Sequence, residues 1–108
     1  MKKCKHCGVS NENHSFNGNA CRTCHNGLNR YGMNRLQQIA LHEAQNGQCK
    51  LCKKDVDLFS RRKGNSGYID HCHNTGKVRA ILCHPCNTAL GYIENNFTFD
   101  DLKEYICP

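Results

Sequence analysis

The chain has 108 residues, a formal net charge of +6 and 10 cysteines, and hydrophobic residues make up 38% of it. This length fits one domain or two very small ones. A chain of this size with so few apolar residues buries a small core and usually needs disulfides, metal or oligomerisation for stability. Nothing in the sequence resembles a signal peptide or a membrane span. We therefore expect a cytoplasmic protein, in which paired cysteines indicate metal ligands before disulfides.

Eight of the cysteines form four CxxC pairs, and the tight turn of each pair places two sulfurs within reach of one tetrahedral zinc ion. Two pairs close one Cys4 site. The spacing leaves the pairing open, and the simplest assignment joins neighbours. Zinc 1 then takes Cys4, Cys7, Cys21 and Cys24, and zinc 2 takes Cys49, Cys52, Cys83 and Cys86. A redox motif is the alternative, but a redox CxxC opens a helix in a βαβ context, which the sequence does not show.

The first half of the chain predicts one helix. Residues 1–26 are polar and rich in Gly, Asn and Ser, which indicates a small zinc-held unit with little regular structure. Residues 34–46 predict a helix with Asn34 as its N-cap and Gly47 just beyond its end. Apolar residues recur along it at helical spacing. We expect its buried face to consist of Leu36, Ile39, Ala40 and Ala44.

A β-hairpin is predicted in the second half. Residues 68–71 and 77–82 are short runs rich in β-formers around a turn at Asn74-Thr75-Gly76. Within the second run, Ile81 and Leu82 are expected in the core.

Two helices are predicted after the hairpin. The run HPCNTALGYIENN, from about His84, suits a helix with Pro85 in its first turn. Thr98 and Asp101 predict a capping box at the start of a last short helix.

The motif DHCH at 70–73 leads out of the first hairpin strand, and Asn87 directly follows the zinc ligand Cys86 at the start of a helix. Zinc bound by the CxxC pair that contains Cys86 would hold the start of this helix close to the hairpin. The arrangement can therefore hold Asp70, His71 and Asn87 around one small volume. Strand alternation would send neighbouring side chains to opposite faces, so the strand must end or twist near Asp70.

The sequence IDHCHNTGKVRAILCHPCNTALG resembles the core motif of the phage recombination endonuclease VII family. That family typically shows D-H-x-H, then T-G-x-V-R, then L-C-x-x-C-N-x-x-L-G, and each element is present here. The upstream stretch RYGMNRLQQIALHEAQNGQCKLC resembles the usual lead-in, a Tyr-Gly element followed by a helix and Gly-x-Cys-x-x-Cys. The resemblance covers roughly residues 30–95.

The resemblance implies roles for individual side chains. Asp70 and Asn87 would bind one catalytic divalent ion, Mg²⁺ or Mn²⁺, and His71 would be the general base. His73 would assist at the metal or the scissile phosphate. Cys72 stands where the family commonly has an acid, and we expect it to point away from the reacting centre. The chemistry is consistent, because a neutral imidazole can take a proton from water and oxygen ligands suit Mg²⁺ where sulfurs do not.

The implied fold is small, α+β and zinc-stabilised. It comprises a ββα-metal (His-Me finger) core with a structural Cys4 zinc and flanking helices, in residues 31–108, after an N-terminal Cys4 zinc-ribbon-like unit in residues 1–30. The implied function is metal-dependent hydrolysis of phosphodiester bonds in DNA, with nicking, homing-type cleavage and branched-DNA cleavage all open. The implied partner is DNA, including branched or nicked DNA, and a homodimer is one open assembly.

Contact with DNA would need a local basic patch. Two Cys4 zinc sites, at about −2 each, reduce the formal charge of +6 to roughly +2. The candidates for phosphate contact are Arg61, Arg62, Lys63, Lys77 and Arg79. An ordinary solvated basic face is the other interpretation of these residues.

Two further interpretations compete with an endonuclease. A zinc-finger module could bind nucleic acid or a protein without cutting, and its activity would survive His71→Ala. A third zinc could sit on His71, Cys72 and His73. Alternation along an extended strand speaks against that site, because Cys72 would face away from both histidines.

Overall fold

The structure is a computed structural model that describes residues 2–59 and 65–107. It is a small α+β protein with two cysteine clusters and extents of 61 × 27 × 21 Å. Within the described ranges, no helix is long and apolar enough to span a membrane. In chain order the elements are strands β1 (Phe16–Asn17) and β2 (Ala20–Cys21), helices α1 (Arg22–Tyr31) and α2 (Arg35–Ala44), strands β3 (Gly67–His71) and β4 (Val78–Cys83), and helices α3 (His84–Asn96) and α4 (Phe99–Ile106).

The N-terminal unit has more regular structure than the sequence predicts for residues 1–26. Strands β1 and β2 pair antiparallel, with Phe16 opposite Cys21, and α1 follows without a break. The prediction is therefore wrong for α1. The buried residues of this helix are Cys24 and Gly27. A zinc-ligand thiol and a close glycine contact thus form its packed side, and apolar periodicity does not reveal either.

The N-terminus of α2 is capped as predicted. The Asn34 side chain accepts a hydrogen bond from the Gln37 N–H at 2.9 Å, and the Gln37 side chain accepts one from the Asn34 N–H at 2.8 Å. This capping box gives partners to N–H groups that the first helical turn leaves unpaired. Beyond the helix, Gly47 has φ of 69° and its N–H donates to the His42 carbonyl at 2.9 Å.

The predicted buried face of α2 is wrong. Leu36 is 53% exposed, whereas Gln38 is only 6% exposed. The Gln38 amide donates to the carbonyl oxygens of Thr23 at 3.4 Å and Met33 at 3.2 Å, so a polar side chain is buried with its hydrogen bonds made. The exposed members of the predicted face are Leu36, Ala40 and Ala44.

The predicted hairpin is confirmed as β3 and β4, which pair antiparallel with Ile69 opposite Ile81. Ile81 and Leu82 are fully buried and pack with Val56, as expected of core residues. The side chain of Gln45, just after α2, accepts from the Ile81 N–H at 2.8 Å and donates to the Ile81 carbonyl at 2.9 Å. These bonds fix α2 against β4.

The two C-terminal helices begin where the sequence predicts. Helix α3 starts at His84, directly after β4, with Pro85 in its first turn. The start of α4 is a capping box, in which Thr98 Oγ1 accepts from the Asp101 N–H at 3.1 Å and Asp101 Oδ2 accepts from the Thr98 N–H at 3.4 Å. The direct junction of β4 and α3 sets the start of α3 beside the hairpin.

Candidate active site

Eight cysteines form two clusters with the neighbour pairing that the sequence predicts. The four Sγ atoms of each cluster lie within 4.8 Å of one another. The Sγ atoms of Cys7 and Cys21 are 3.7 Å apart, and those of Cys52 and Cys83 are 3.6 Å apart. Four sulfurs at about 2.3 Å from one tetrahedral ion are about 3.8 Å apart, so both clusters have the geometry of a zinc site.

The thiols within each cluster differ in acidity. Burial opposes ionisation of Cys4, but backbone hydrogen bonds lower its pKa to about 5. Burial and the neighbouring thiols raise the pKa of Cys24. In the second cluster burial again opposes ionisation, yet backbone hydrogen bonds lower the pKa of Cys49 to about 6, while Cys83 and burial raise that of Cys86 to about 12. Four adjacent thiols cannot all ionise without a cation, and a divalent metal removes that conflict.

A β-bulge falls between Asp70 and His71. Asp70 pairs with Ala80 and His71 pairs with Val78, so the register shifts between them and leaves Arg79 as the extra residue on β4. A bulge increases the local twist and redirects side chains. Asp70 and His71 line one cavity, together with the two residues before them on β3. The register shift is the kind of irregularity that the sequence leads us to expect near Asp70.

The cavity has a volume of about 300 Å³ and lies where the end of β3, the first turns of α3 and the end of α1 meet. All four side chains predicted for the catalytic centre line it, namely Asp70, His71, His73 and Asn87. Five further residues line the cavity without having been predicted for the site, namely Tyr31, Tyr68, Ile69, Gly91 and Glu94. Glu94 lies seven residues after Asn87 on α3, and this two-turn spacing is the signal that could have placed it on the same face.

The His71 ring lies beside two other rings. Its centroid is 5.3 Å from that of His73, with an angle of 11° between the planes. The centroid of the Tyr31 ring is 6.1 Å from that of His71, with an angle of 53° between the planes. His73 comes from the same end of β3, whereas Tyr31 is the last residue of α1. The cavity wall thus includes Tyr31, a residue from the N-terminal half of the chain.

Arg79 joins two acidic side chains at the cavity. It donates to Asp70 through Nε at 2.6 Å and Nη2 at 3.0 Å, and to Glu94 through Nη2 at 2.9 Å and Nη1 at 3.1 Å. The hydrogen bonds to Glu94 and then Asp70 raise the pKa of the Arg79 guanidinium, and the hydrogen bond from Arg79 lowers the pKa of Glu94. Asp70 is 7% exposed, so this pairing satisfies a buried carboxylate.

The remaining predicted residues lie elsewhere. Cys72 is in the hairpin turn, where its N–H donates to the Lys77 carbonyl at 2.8 Å, and the hydrogen bond of its thiol with the Thr75 side chain lowers its pKa. Lys77 is exposed in the same turn. The predicted DNA contacts Arg61, Arg62 and Lys63 fall outside the described residues.

The cavity offers oxygen and imidazole donors rather than sulfur. Asp70 and Glu94 contribute carboxylates, Asn87 an amide and His71 an imidazole. Oxygen ligands of this kind are the ones that Mg²⁺ prefers in proteins. Among residues 2–59 and 65–107, the two cysteine clusters are the groups in which three or more His, Cys, Asp or Glu side chains lie close enough to share a metal. The geometry therefore does not support a third zinc on His71, Cys72 and His73.

Comparison with known proteins identifies the family. The Gene 59 protein of Mycobacterium phage D29 is 39% identical over 57 residues, which are 53% of this chain and 32% of that protein. The Gene 59 protein of Mycobacterium phage L5 is 33% identical over 70 residues, 64% of this chain and 40% of that protein. The chain therefore spans less than half the length of these relatives. The family model of recombination endonuclease VII matches residues 25–107, a range that contains the second cysteine cluster and the whole cavity wall, and the chain belongs to that family.

Proposed function

We propose that this protein is a Mg²⁺-dependent DNA endonuclease with a ββα-metal core formed by β3, β4 and α3. The family membership supports nuclease activity on DNA. One structural observation carries the residue assignment. Asp70, His71 and Asn87 line the same cavity, and a bulge, which can redirect side chains, falls between the first two.

Asp70 and Asn87 would hold the metal. One carboxylate and one amide oxygen match the sparse protein ligation that Mg²⁺ accepts, and Mn²⁺ would fit the same donors. When bound, this ion supplies charge stabilisation at the phosphate and at the leaving oxygen. Arg79 and Glu94 keep the Asp70 carboxylate oriented, because four of the guanidinium hydrogen bonds go to these two acids.

His71 is the general base in this proposal. A neutral imidazole accepts a proton from water near physiological pH, and the base must lie within hydrogen-bond reach of the water that attacks the phosphorus. His73, stacked on it at 5.3 Å, assists at the phosphate. Neither imidazole ring is used as a zinc ligand, which leaves both free for the substrate.

The wider assignments follow from the same proposal. Residues 1–30 form an N-terminal zinc unit and residues 31–108 the nuclease domain, with one structural zinc in each. The substrate is DNA, branched or nicked forms included, and the protein would act in the cytoplasm of a phage-infected cell. Lys77 and the stretch 61–63 are the proposed phosphate contacts. Arg79, the other candidate, donates its hydrogen bonds to Asp70 and Glu94 and is left out of the proposed phosphate contacts. Association into a homodimer is part of the proposal.

The experiment compares His71→Ala with wild type on supercoiled plasmid and on a four-way junction, with Mg²⁺ and with EDTA. His25→Ala is the matched control, because the His25 ring lies away from the cavity and forms a hydrogen bond with the neighbouring Asn29 side chain, at 3.2 Å on the exposed side of α1. Zinc per chain is measured for all three proteins. We expect about two zincs in each and Mg²⁺-dependent cutting that only His71→Ala loses, by about a hundredfold or more.

Each other result has a clear meaning. DNA binding without cutting in the wild type would favour the zinc-finger binding module instead. Cutting that persists in His71→Ala would remove His71 from the role of base. Cutting of the junction but not of the plasmid would identify branched DNA as the substrate.

A further inference from the structure

The contact between Tyr31 and His71 joins two parts of the chain that have separate zinc clusters. Tyr31 is half-buried and its ring centroid lies 6.1 Å from that of His71. His71 belongs to the hairpin next to the second cluster, whereas Tyr31 ends the helix that starts at the first. The helix that begins in the N-terminal unit therefore contributes the side chain at its last residue to the cavity wall.

Helix α1 links the first cluster directly to this contact. Cys21 is the N-cap of α1 and Cys24 lies in its first turn, so two ligands of zinc 1 anchor one end. Tyr31 is the last residue, and Gly32 closes the helix with φ of 70° and an N–H that donates to the Leu28 carbonyl at 3.1 Å. A helix of this length spans about 15 Å, which is the distance over which the cluster can set the position of Tyr31.

The helix is also fixed from the side. Gly27 of α1 lies so close to α2 that an added Cβ would collide with the Gln38 amide and the Met33 carbonyl. The backbone N–H of Arg35, at the start of α2, donates to the Sγ of Cys24 at 3.2 Å. Helix α2 is itself bonded to β4 beyond its C-terminus. Movement of Tyr31 relative to the hairpin would therefore disrupt several packed and hydrogen-bonded contacts.

We propose that Tyr31 is a positioning residue for His71, and that the N-terminal zinc unit serves to hold it there. This inference rests on the proposed role of His71 as general base. The rings of Tyr31 and His73 both lie beside the imidazole, and such contacts would restrict its rotation. Loss of the Tyr31 ring frees the imidazole on one side, and a poorly positioned base lowers the rate of the chemical step more than substrate binding.

The test uses three variants with intact zinc ligands. Tyr31→Ala removes the ring, Tyr31→Phe keeps the ring without its hydroxyl, and Tyr105→Ala removes a tyrosine that is 87% exposed on α4. We expect Tyr31→Ala to lower kcat about ten- to a hundredfold with KM for DNA changed less than about threefold. Tyr31→Phe and Tyr105→Ala should stay within about twofold of wild type, since a ring contact does not need the hydroxyl.

A spectroscopic readout tests the contact without relying on cleavage. The ring resonances of His71, assigned by their absence from His71→Ala, are followed by NMR in the zinc-loaded protein. Tyr31→Ala should shift them, because an adjacent aromatic ring current is lost, and Tyr31→Phe and Tyr105→Ala should shift them much less. Unchanged His71 resonances in Tyr31→Ala would overturn the proposal, as would a loss confined to KM.

A fourth variant tests the role of the zinc unit. Replacing both Cys4 and Cys7 by Ser should reduce the zinc content from about two to about one per chain and lower kcat as Tyr31→Ala does. Adding Tyr31→Ala to that variant should lower kcat less than about twofold further, because both changes remove one interaction. Full activity after loss of zinc 1, or loss of both zincs, would overturn this part. Cleavage that survives His71→Ala would instead refute the proposed base and leave the NMR result to judge the contact.

Discussion

Arg79 holds the carboxylate of Asp70 through two hydrogen bonds, from Nε at 2.6 Å and from Nη2 at 3.0 Å. Arg79 is the extra residue of the β-bulge between Asp70 and His71. The guanidinium that binds the Asp70 carboxylate therefore comes from the irregular position of β4. Glu94 accepts from the other side of the guanidinium. The three side chains together carry a net charge of −1, which leaves the cavity attractive to a cation.

Replacing Arg79 with Gln should destabilise the protein, because Asp70 is buried and would lose its charged partner. Arg79 is 34% exposed, so solvent weakens the effect and we expect a loss of about 1–2 kcal/mol in the free energy of unfolding. Urea denaturation of the zinc-loaded protein measures it. Lys77→Gln removes an exposed charge from the neighbouring turn and should change stability by less than about 0.5 kcal/mol. Equal effects of the two substitutions would contradict the pairing.

Replacing Glu94 with Gln should weaken divalent-metal binding at the cavity. The substitution keeps the side-chain shape but raises the net charge of the Asp70, Arg79 and Glu94 group from −1 to zero, so Arg79 competes more strongly for Asp70. We expect about three- to tenfold weaker Mn²⁺ binding, measured by electron paramagnetic resonance. Glu104→Gln changes an exposed acid on α4 and should leave the affinity unaltered. Identical Mn²⁺ affinities for both variants would exclude Glu94 from the site's electrostatics.

Removal of zinc should unfold the protein in two separable steps. Five of the most buried residues belong to the two cysteine clusters, so a metal bound in each would replace a large part of an apolar core. They are Cys4, Cys21, Cys24, Cys49 and Cys83. After a strong chelator has removed zinc from both clusters, thermal unfolding followed by circular dichroism should no longer be cooperative.

The two clusters should differ when tested separately. Cys49→Ser should disrupt β3 and β4, whereas Cys7→Ser should leave the hairpin folded with about one zinc per chain. A cooperative transition that survives full chelation would show that the clusters are dispensable for folding.

Replacing Gly27 with Ala should be destabilising by about 1–3 kcal/mol, because the added methyl group would meet the Gln38 side chain and the Met33 carbonyl. Gly91→Ala is the matched control. That glycine lies within α3, and an added Cβ meets nothing within 4 Å, so the substitution should stabilise by about 0.5–1 kcal/mol through helix propensity. Thermal unfolding compares the two. A neutral Gly27→Ala would contradict the close approach of α1 and α2.

The Cys72 thiol should react faster with alkylating agents than an ordinary cysteine at neutral pH. Its hydrogen bond with the Thr75 side chain lowers its pKa, so the thiolate persists at a lower pH. Thr75→Val should raise that pKa and slow alkylation near about pH 7, with the two rates converging above about pH 10. Zinc-loaded protein carrying Cys107→Ser leaves Cys72 as the thiol outside the clusters. No rate difference at neutral pH would refute the hydrogen bond.

The features that the sequence predicts correctly are local. The four CxxC pairs, the turn at Asn74-Thr75-Gly76, the N-cap at Asn34 and the capping box at Thr98 all depend on residues a few positions apart. Their geometry follows from backbone conformation and short-range hydrogen bonds. The pairing in the two clusters matches the simplest assignment, because joining CxxC pairs that are neighbours in the sequence closes the shortest loops.

Helix α1 and the buried side of α2 escape prediction because distant contacts decide them. Neither Gly27 nor Gln38 has the apolar character that periodicity detects, and each is buried only because the other helix lies against it. Glu94 and Tyr31 belong to the cavity for the same reason.

The sequence by itself determined which side chains are candidates for chemistry here. Cysteine spacing separated the candidate zinc ligands from Asp70, His71 and Asn87, and the family motif marked those three residues. Only the tertiary structure decided their neighbours. A bulge in β4 lies opposite Asp70 and His71, Arg79 pairs with Asp70, and the ring of Tyr31 lies beside that of His71. The physical reason is that strand register and helix packing depend on contacts among residues far apart in the chain, which no local pattern encodes.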